Sequence, residues 1–279
     1  MSSSAVLPGS AVARPGVAAL AVALALVIVG PHPAQAAFCG DDVGGSRVAC
    51  SCGDQVVSDT VLGASDPVVT ETCSGDGLVV FVPSESQGIT LNLGGRSIVG
   101  SGNGVGIRVV RGGRLGSTIV GGGEDGRRAE VAHFRTGISA HGRNDLLELI
   151  GVDVHHNRGD GLRLHTSGVR LEDVRSDANG RDGVSLFGQG IEVTGVVAER
   201  NLGDGLQVRG AGATVNAETN DNGRHGMIIA GRGNRVEAVR SNGNGGAGVT
   251  ATGSGHEVGD VQASGNAGGD IAGRAGASR

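Results

Sequence analysis

Lysine, tryptophan and tyrosine are absent from the 279 residues, and the only aromatic rings besides histidine are Phe38, Phe81, Phe134 and Phe187. So few rings, with no dense basic stripe, offer bases nothing to stack on and exclude nucleic acid as a partner. No apolar run is long enough to span a bilayer: the longest, Val17 to Val29, has 13 residues. Cysteine is scarce as well, with four residues confined to positions 39 to 73.

The short apolar run has another use. Arg14 precedes it and Ala34-Gln35-Ala36 follows, which reads as an export signal over residues 1–36. Phe38 stands where a lipoprotein signal needs a small residue, so no lipid anchor is expected on Cys39. Removing Arg14 leaves 22 arginines against 28 acidic residues in the mature chain, a net charge of about −6 before histidine. The expected location is secreted or periplasmic.

Glycine is abundant, at 55 residues, and it is periodic. Segments open alike at Gly137, Gly161, Gly183, Gly205, Gly226 and Gly248, with spacings of 24, 22, 22, 21 and 22. A second comb in the same register runs through Asn157, Asn179, Asn201, Asn222, Asn244 and Asn266. Two combs in register mark a solenoid. After each glycine a short alternating strand turns Leu162 and Leu164, Val184 and Leu186, Leu206 and Val208, Met227 and Ile229, then Val249 and Ala251 inward. Arg163, Ser185, Gln207, Ile228 and Thr250 then face outward. Further apolar columns fall at Leu149, Leu171, Val193, Val215, Val236 and Val258, and at Val152, Val174, Val196, Ala217, Val239 and Val261.

Three short strands per coil of roughly 22 residues bury their apolar faces only by stacking at about 4.8 Å. The expected fold is all-β: a single-stranded right-handed parallel β-helix. Its asparagines should stack as an amide ladder that also satisfies turn backbone groups.

The segment Asn-Arg-Gly-Asp-Gly-Leu-Arg-Leu (157 to 164), its later copies, Cys-Ser-Gly-Asp-Gly-Leu-Val-Val (73 to 80) and Gly-Ile-Thr-Leu-Asn-Leu (88 to 93) resemble bacterial secreted right-handed β-helix repeat proteins of the pectate-lyase-like superfamily. The resemblance covers about residues 50–270. It is specific for fold, while many activities share the scaffold.

Residues 37–75 form an expected Cys-rich N-terminal cap, residues 76–136 irregular early coils, and residues 137–279 the regular coils. Four exported cysteines allow three connectivities, of which Cys39 with Cys50 and Cys52 with Cys73 is the pairing expected. Zinc suits them poorly, since Cys50-Ser-Cys52 is tightly spaced and no histidine is near in sequence. The extra length around Gly121 to Arg128 reads as a looped-out insertion.

Enzymes of the superfamily act on uronate polysaccharides, but their signatures do not transfer. Paired aspartates occur only as Asp41-Asp42 in the cap, Gly-His-Gly is reduced to Ala140-His141-Gly142, and Arg-Ile-Lys is impossible without lysine. No aromatic platform is evident, Phe187 being the single non-histidine ring of the regular coils.

Two outward columns remain as candidates. Asp160, Asp182 and Asp204 each precede a coil-opening glycine and repel by roughly 0.9 kcal/mol per stacked pair in water. Either calcium bridges them, or each caps turn N–H groups while Arg158 and Arg181 relieve the repulsion. The second column joins Asp153, His155, Asp177 and Glu199, where cross-coil stacking is expected to orient the His155 imidazole or raise its pKa for acid–base chemistry. Arg175 and Arg163 would meet a uronate carboxylate. A solvated face of cross-coil ion pairs explains the same residues. His141, His165, His225 and His256 look scattered.

Three functions follow. The leading expectation is a non-catalytic surface or matrix protein presenting a rigid face to a polysaccharide or another partner. Next comes a divergent polysaccharide lyase, hydrolase or epimerase, and third a periplasmic metal-handling accessory protein, ranked last because Met and His clusters are lacking. A monomer is expected. Thiol titration of the denatured, unreduced protein should find essentially no free thiol; two or more would overturn the pairing.

Overall fold

The computed structural model describes residues 37–82, 88–111, 116–123, 126–142 and 146–272. The expected export signal, Glu124 and Asp125 of the insertion, and the tail from residue 273 lie outside them.

The described chain winds as a parallel β-helix with two long sheets. The first sheet takes one strand from each coil, among them Leu162–His165, Val184–Gln189, Leu206–Ala211, Met227–Arg232 and Val249–Ser254. Its register aligns Leu162, Val184, Leu206, Met227 and Val249, the inward column expected from alternation. The second sheet holds the rest of each coil. Early coils contribute two short strands to it, Leu147–Ile150 with Val152–His155, then Val169–Glu172 with Arg175–Asp177. From Glu192–Glu199 onward the two fuse into one strand, so three strands per coil become two. Gly195, at φ +65°, sits where the register shifts between Val193 and Val196, and turns the corner without breaking the ladder. The one described helix, Pro67–Thr70, has four residues, and no described helix is long and apolar enough to cross a membrane.

Cys39 bonds Cys50 and Cys52 bonds Cys73, as expected. The segment they staple is woven into the solenoid. Phe38–Cys39 and Asp54–Val56 extend the first sheet, and Thr60–Val61 and Thr72–Cys73 extend the second. Cys39, Cys50 and Cys73 are buried, so the disulfides form part of the core that closes this end.

The expected core columns are buried down to Val236 and Val239, and each such Val or Leu contributes about 1.5–3 kcal/mol relative to exposure. The last coil departs from the pattern. Val258 is 39% exposed and Ile271 59%, and among the described residues their strands pair with the preceding coil alone. The column Val169, Ile191, Ala213, Asn234, His256 turns polar without opening. Asn234 Oδ1 accepts the Ala213 N–H at 2.9 Å, and His256 is buried with its Nε2 3.0 Å from the Thr252 carbonyl.

The asparagine ladder is continuous. In each step one Oδ1 accepts both the backbone N–H and the Nδ2–H of the asparagine one coil earlier. Asn201 does so from Asn179 at 3.0 and 2.9 Å, and Asn222 from Asn201 at 3.1 and 3.0 Å. The spare Nδ2–H of Asn201 reaches the Ser176 carbonyl at 3.0 Å. The glycine comb is in register with it for a steric reason: a Cβ on Gly183 would stand 2.5 Å from Asn201 Nδ2. Immediately before the ladder residues, His156, Ala178, Arg200 and Asp221 all hold φ between 51° and 54°, a left-handed corner that costs a non-glycine residue roughly 1–2 kcal/mol.

The middle of the ladder should therefore matter more than its end. Asn201→Ala strands buried groups on both sides and should lower stability by about 1–3 kcal/mol. Asn266, half-buried at the last coil, leaves groups that water can reach, and Asn266→Ala should cost clearly less in urea unfolding. Equal losses would count against a cooperative ladder.

Candidate functional site

Asp153, His155, Asp177, Glu199 and Arg175 do line up on the outer face of the second sheet. Asp153 registers with Arg175, and His155 with Asp177 and then Glu199. Arginines occupy the carboxylates. Arg128 holds Asp153 at 2.6 Å, Arg200 holds Asp177 at 2.5 Å, and Arg175 lies 3.4 Å from Glu199. Arg128 comes from the insertion and also reaches Asp173, a pairing that sequence spacing could not show. Asp177 and its neighbour Glu199 raise the Arg200 pKa further above its ordinary value. Asp177 keeps one buried oxygen, Oδ1, without a hydrogen-bond partner.

His155 corrects the expectation of a raised pKa. Burial lowers it, and the nearby His156 and His133 work in the same direction against Glu130 and Asp153. Its Nδ1 lies 2.8 Å from His156 Nδ1, and its Nε2 lies 3.9 Å from Glu130. The ring centre of His133 is 5.6 Å from that of His156 and 6.4 Å from that of His155. Three histidine rings therefore lie near one another here, although among the described residues no three His, Cys, Asp or Glu side chains are placed to hold a metal ion. The sequence carried a signal for it: His133 and His156 occupy the same position in successive coils, just before Phe134 and Asn157.

The Asp160, Asp182, Asp204 column behaves as a capping ladder. Asp160 Oδ1 accepts the Asp182 N–H at 3.4 Å, Asp182 Oδ1 the Asp204 N–H at 2.9 Å, and Asp204 Oδ1 the His225 N–H at 2.9 Å. His225 continues it, its Nδ1 accepting the Ala247 N–H at 3.0 Å. Charge relief comes from Arg181, 3.7 Å from Asp160, and Arg224, 3.8 Å from Asp204. Arg158, expected in that role, instead lines a hollow beside His133 and His156. Gln207, expected outward, is buried and bridges Asp182 at 2.9 Å and Asp204 at 2.6 Å through its Nε2. Burial raises the Asp182 pKa, with Asp204 and Asp160 adding to the rise against the N–H of Asp204 and against Arg181. Among the described residues, no group of three or more His, Cys, Asp or Glu side chains is placed to hold a metal ion, these aspartates included.

Beside this column, on the first sheet, lies an open groove of about 490 Å³. Asp182, Arg163, His165, Phe187, Leu202 and Arg209 line it. Strand register places Phe187 next to Arg209, and His141 next to His165. His141 and His165 stack at 5.1 Å, and the His165 ring centre is 6.0 Å from that of Phe187. These histidines are thus not scattered: with Phe187, 58% exposed, they form an aromatic stripe along the coil axis. Leu202, 72% exposed, also lines the groove. Burial lowers the pKa of both His141 and His165, and the Arg163 guanidinium lowers it further. Both rings are therefore neutral at pH 7, an apolar face bordered by guanidinium donors. Of the arginines assigned to substrate, Arg163 lies in this groove and Arg175 lies on the other sheet.

The family described as right handed beta helix region matches residues 136–278, and the chain belongs to it. Among solved structures, the chain is similar to the A-module of the Azotobacter vinelandii mannuronan C-5 epimerase AlgE4, at 14% identity with a TM-score of 0.29, over 78% of this chain and 88% of that one. It is also similar to the enzymatically active domain of tailspike protein 2 of bacteriophage CBA120, at 13% identity with a TM-score of 0.31. That match takes in 75% of this chain but 38% of the tailspike chain. Neither likeness carries a residue or an activity over to this protein. No curated protein sequence matches.

The electrostatics of the groove are testable. Arg163→Gln should move the NMR titrations of both His141 and His165 up toward 6.5 and leave His155 in place. Because these folded-state pKa values lie below 6.5, the folded protein binds fewer protons than the unfolded chain, and their contribution to stability is lost as pH falls below about 6.5. Asp182 acts oppositely: its raised pKa weakens the fold as pH rises above 3.8.

Proposed function

We propose that the protein is exported and binds an acidic polysaccharide, without cleaving it, along the groove of the first sheet. The carrying observation is the His141, His165, Phe187 stripe continued by Arg209. A ring face at that pitch suits the apolar faces of successive sugars, while Arg163 and Arg209 suit their carboxylates. The rigid solenoid supports this, since a binding surface ordered in advance spends little entropy on association. Two disulfides near the N-terminus, with no described helix long and apolar enough to cross a membrane, fit an extracellular or periplasmic place of work. The second-sheet patch around His155 and Asp177 is the weaker polysaccharide site, because arginines of the chain itself already neutralise its carboxylates.

A catalytic reading has one specific observation in its favour. Asp182 lines the groove with a raised pKa, the property of a general acid. It would make the chain a divergent lyase, hydrolase or epimerase.

Calorimetry with polygalacturonate and alginate oligomers distinguishes the two. We expect binding with neither unsaturated uronate nor new reducing ends. Phe187→Ala and Arg209→Ala should each weaken it about tenfold, or ~1.4 kcal/mol, and His155→Ala should leave it unchanged. Turnover abolished by Asp182→Asn would establish the catalytic reading instead. No binding to any acidic glycan would overturn both.

A further inference from the structure

Taking the groove of the first sheet as the glycan site, we propose that acidification tightens its hold on an acidic polysaccharide, because the stacked rings of His141 and His165 take up a proton from the medium when the polyanion lies across them. Imidazole is the one ordinary side chain whose charge changes between about pH 5 and 8. Two of them stand here in one stripe, at the ends of Thr136–His141 and Leu162–His165, with ring centres 5.1 Å apart and planes inclined by 18°. His141 Nδ1 lies 2.7 Å from the Ala140 carbonyl, and the ring of Phe187 follows that of His165 at 6.0 Å. The pair thus belongs to the surface offered to the ligand.

The surroundings fix the sign. Arg163 is exposed between the two rings and their neighbours, in register with Ser139 on the preceding strand and Ser185 on the following one. Arg108, one strand before His141, is held by Asp76 at 2.8 Å. Asp160, just ahead of the His165 strand, is buried and caps the Asp182 N–H. The next strand, Val184–Gln189, carries no charge, and Arg209 stands on the one after it. Burial, then Arg163 and Arg108, keep His141 neutral at pH 7 in the empty groove. Burial, then Arg163 and His141, keep His165 neutral against the pull of Asp160.

A row of carboxylates laid along the stripe reverses that field, since a nearby anion favours imidazolium. The complex then holds more protons than its separated parts, and affinity rises as pH falls. A second charge 5.1 Å from the first is repelled, so an uptake of about one proton per groove is expected. Asp182 lines the same groove and loses charge in acid, an effect of the same sign that the test separates.

The full protein is titrated by calorimetry with a polygalacturonate oligomer at pH 7.5 and pH 5.5, both above the range near about 4 where carboxylic acids titrate, so the ligand stays ionised. Affinity should be about tenfold higher at pH 5.5. Buffers of different ionisation enthalpy at pH 6 should return about one proton taken up per groove. Saturating oligomer should also move the NMR titrations of His141 and His165 upward and leave that of His155 in place. A variant carrying both His141→Phe and His165→Phe keeps rings for the sugars but has no proton to gain, and its affinity should change by less than about twofold between the two pH values. Asp182→Asn should keep the full dependence. Urea midpoints at both pH values confirm that each variant is folded, and the proton count and NMR shifts of the unmodified protein stand without them. Binding at pH 7.5 that is no tighter at pH 5.5, or a dependence that survives in the double variant, would overturn acid control and leave the glycan reading standing. No binding at either pH would overturn both.

Discussion

The structure depends on one repeated contact, a side-chain amide that accepts two hydrogen bonds from the coil before it. Asn179, Asn201, Asn222 and Asn244 each complete this contact inside the protein, out of reach of water. An amide has donors and acceptor in fixed opposition, so a column of them has one polarity and one register. The glycine opening the adjacent coil supplies the room, and the left-handed residue before each asparagine supplies the direction. Sheet pairing then follows, because each strand leaves the corner already aligned with its neighbour. The aspartate column performs the same service at a second corner, with Oδ1 in place of the amide oxygen. That shared geometry explains how His225 can follow Asp204 in the series: a ring Nδ1 accepts an N–H as a carboxylate does.

Most of the fold was legible in the sequence, since repetition turns weak local preferences into columns. Leu162, Val184, Leu206, Met227 and Val249 could be placed inward by counting, as could the ladder and its glycines. Counting could not show the fusion of two strands at Glu192–Glu199, because the glycine that permits it, Gly195, is one among many. Nor could it show that Val258 would be uncovered, since burial depends on which coils stack on it and among the described residues its strand pairs on one side only.

The sites were less legible, and for a definite reason. Periodicity assigns a residue to a face but says nothing about which side chains meet across faces or arrive from loops. Asp153 and Asp177 could be placed outward beside His155, whereas their arginine partners, Arg128 and Arg200, come from an insertion and a corner. His141 and His165 look unrelated at a separation of 24 residues because that coil is longer than the 21- and 22-residue coils that follow it; strand register, not spacing, makes them neighbours. Histidines 133 and 156 were separable from the background only by their place relative to the ladder.

The coil from Gly205 to Gly226 is one residue shorter than those on either side. The loss is taken up wholly in the second sheet. Val193 pairs with Val215 but Val196 with Ala217, and one coil later Val215 pairs with Val236 but Asn216 with Ala238. The first sheet, with Leu206 opposite Met227 and Arg209 opposite Ala230, carries on without a slip. One flank of the solenoid thus acts as an expansion joint for the other. At this coil a change of one residue in length is absorbed on that flank, while the strands that bear the groove keep their pairing residue for residue.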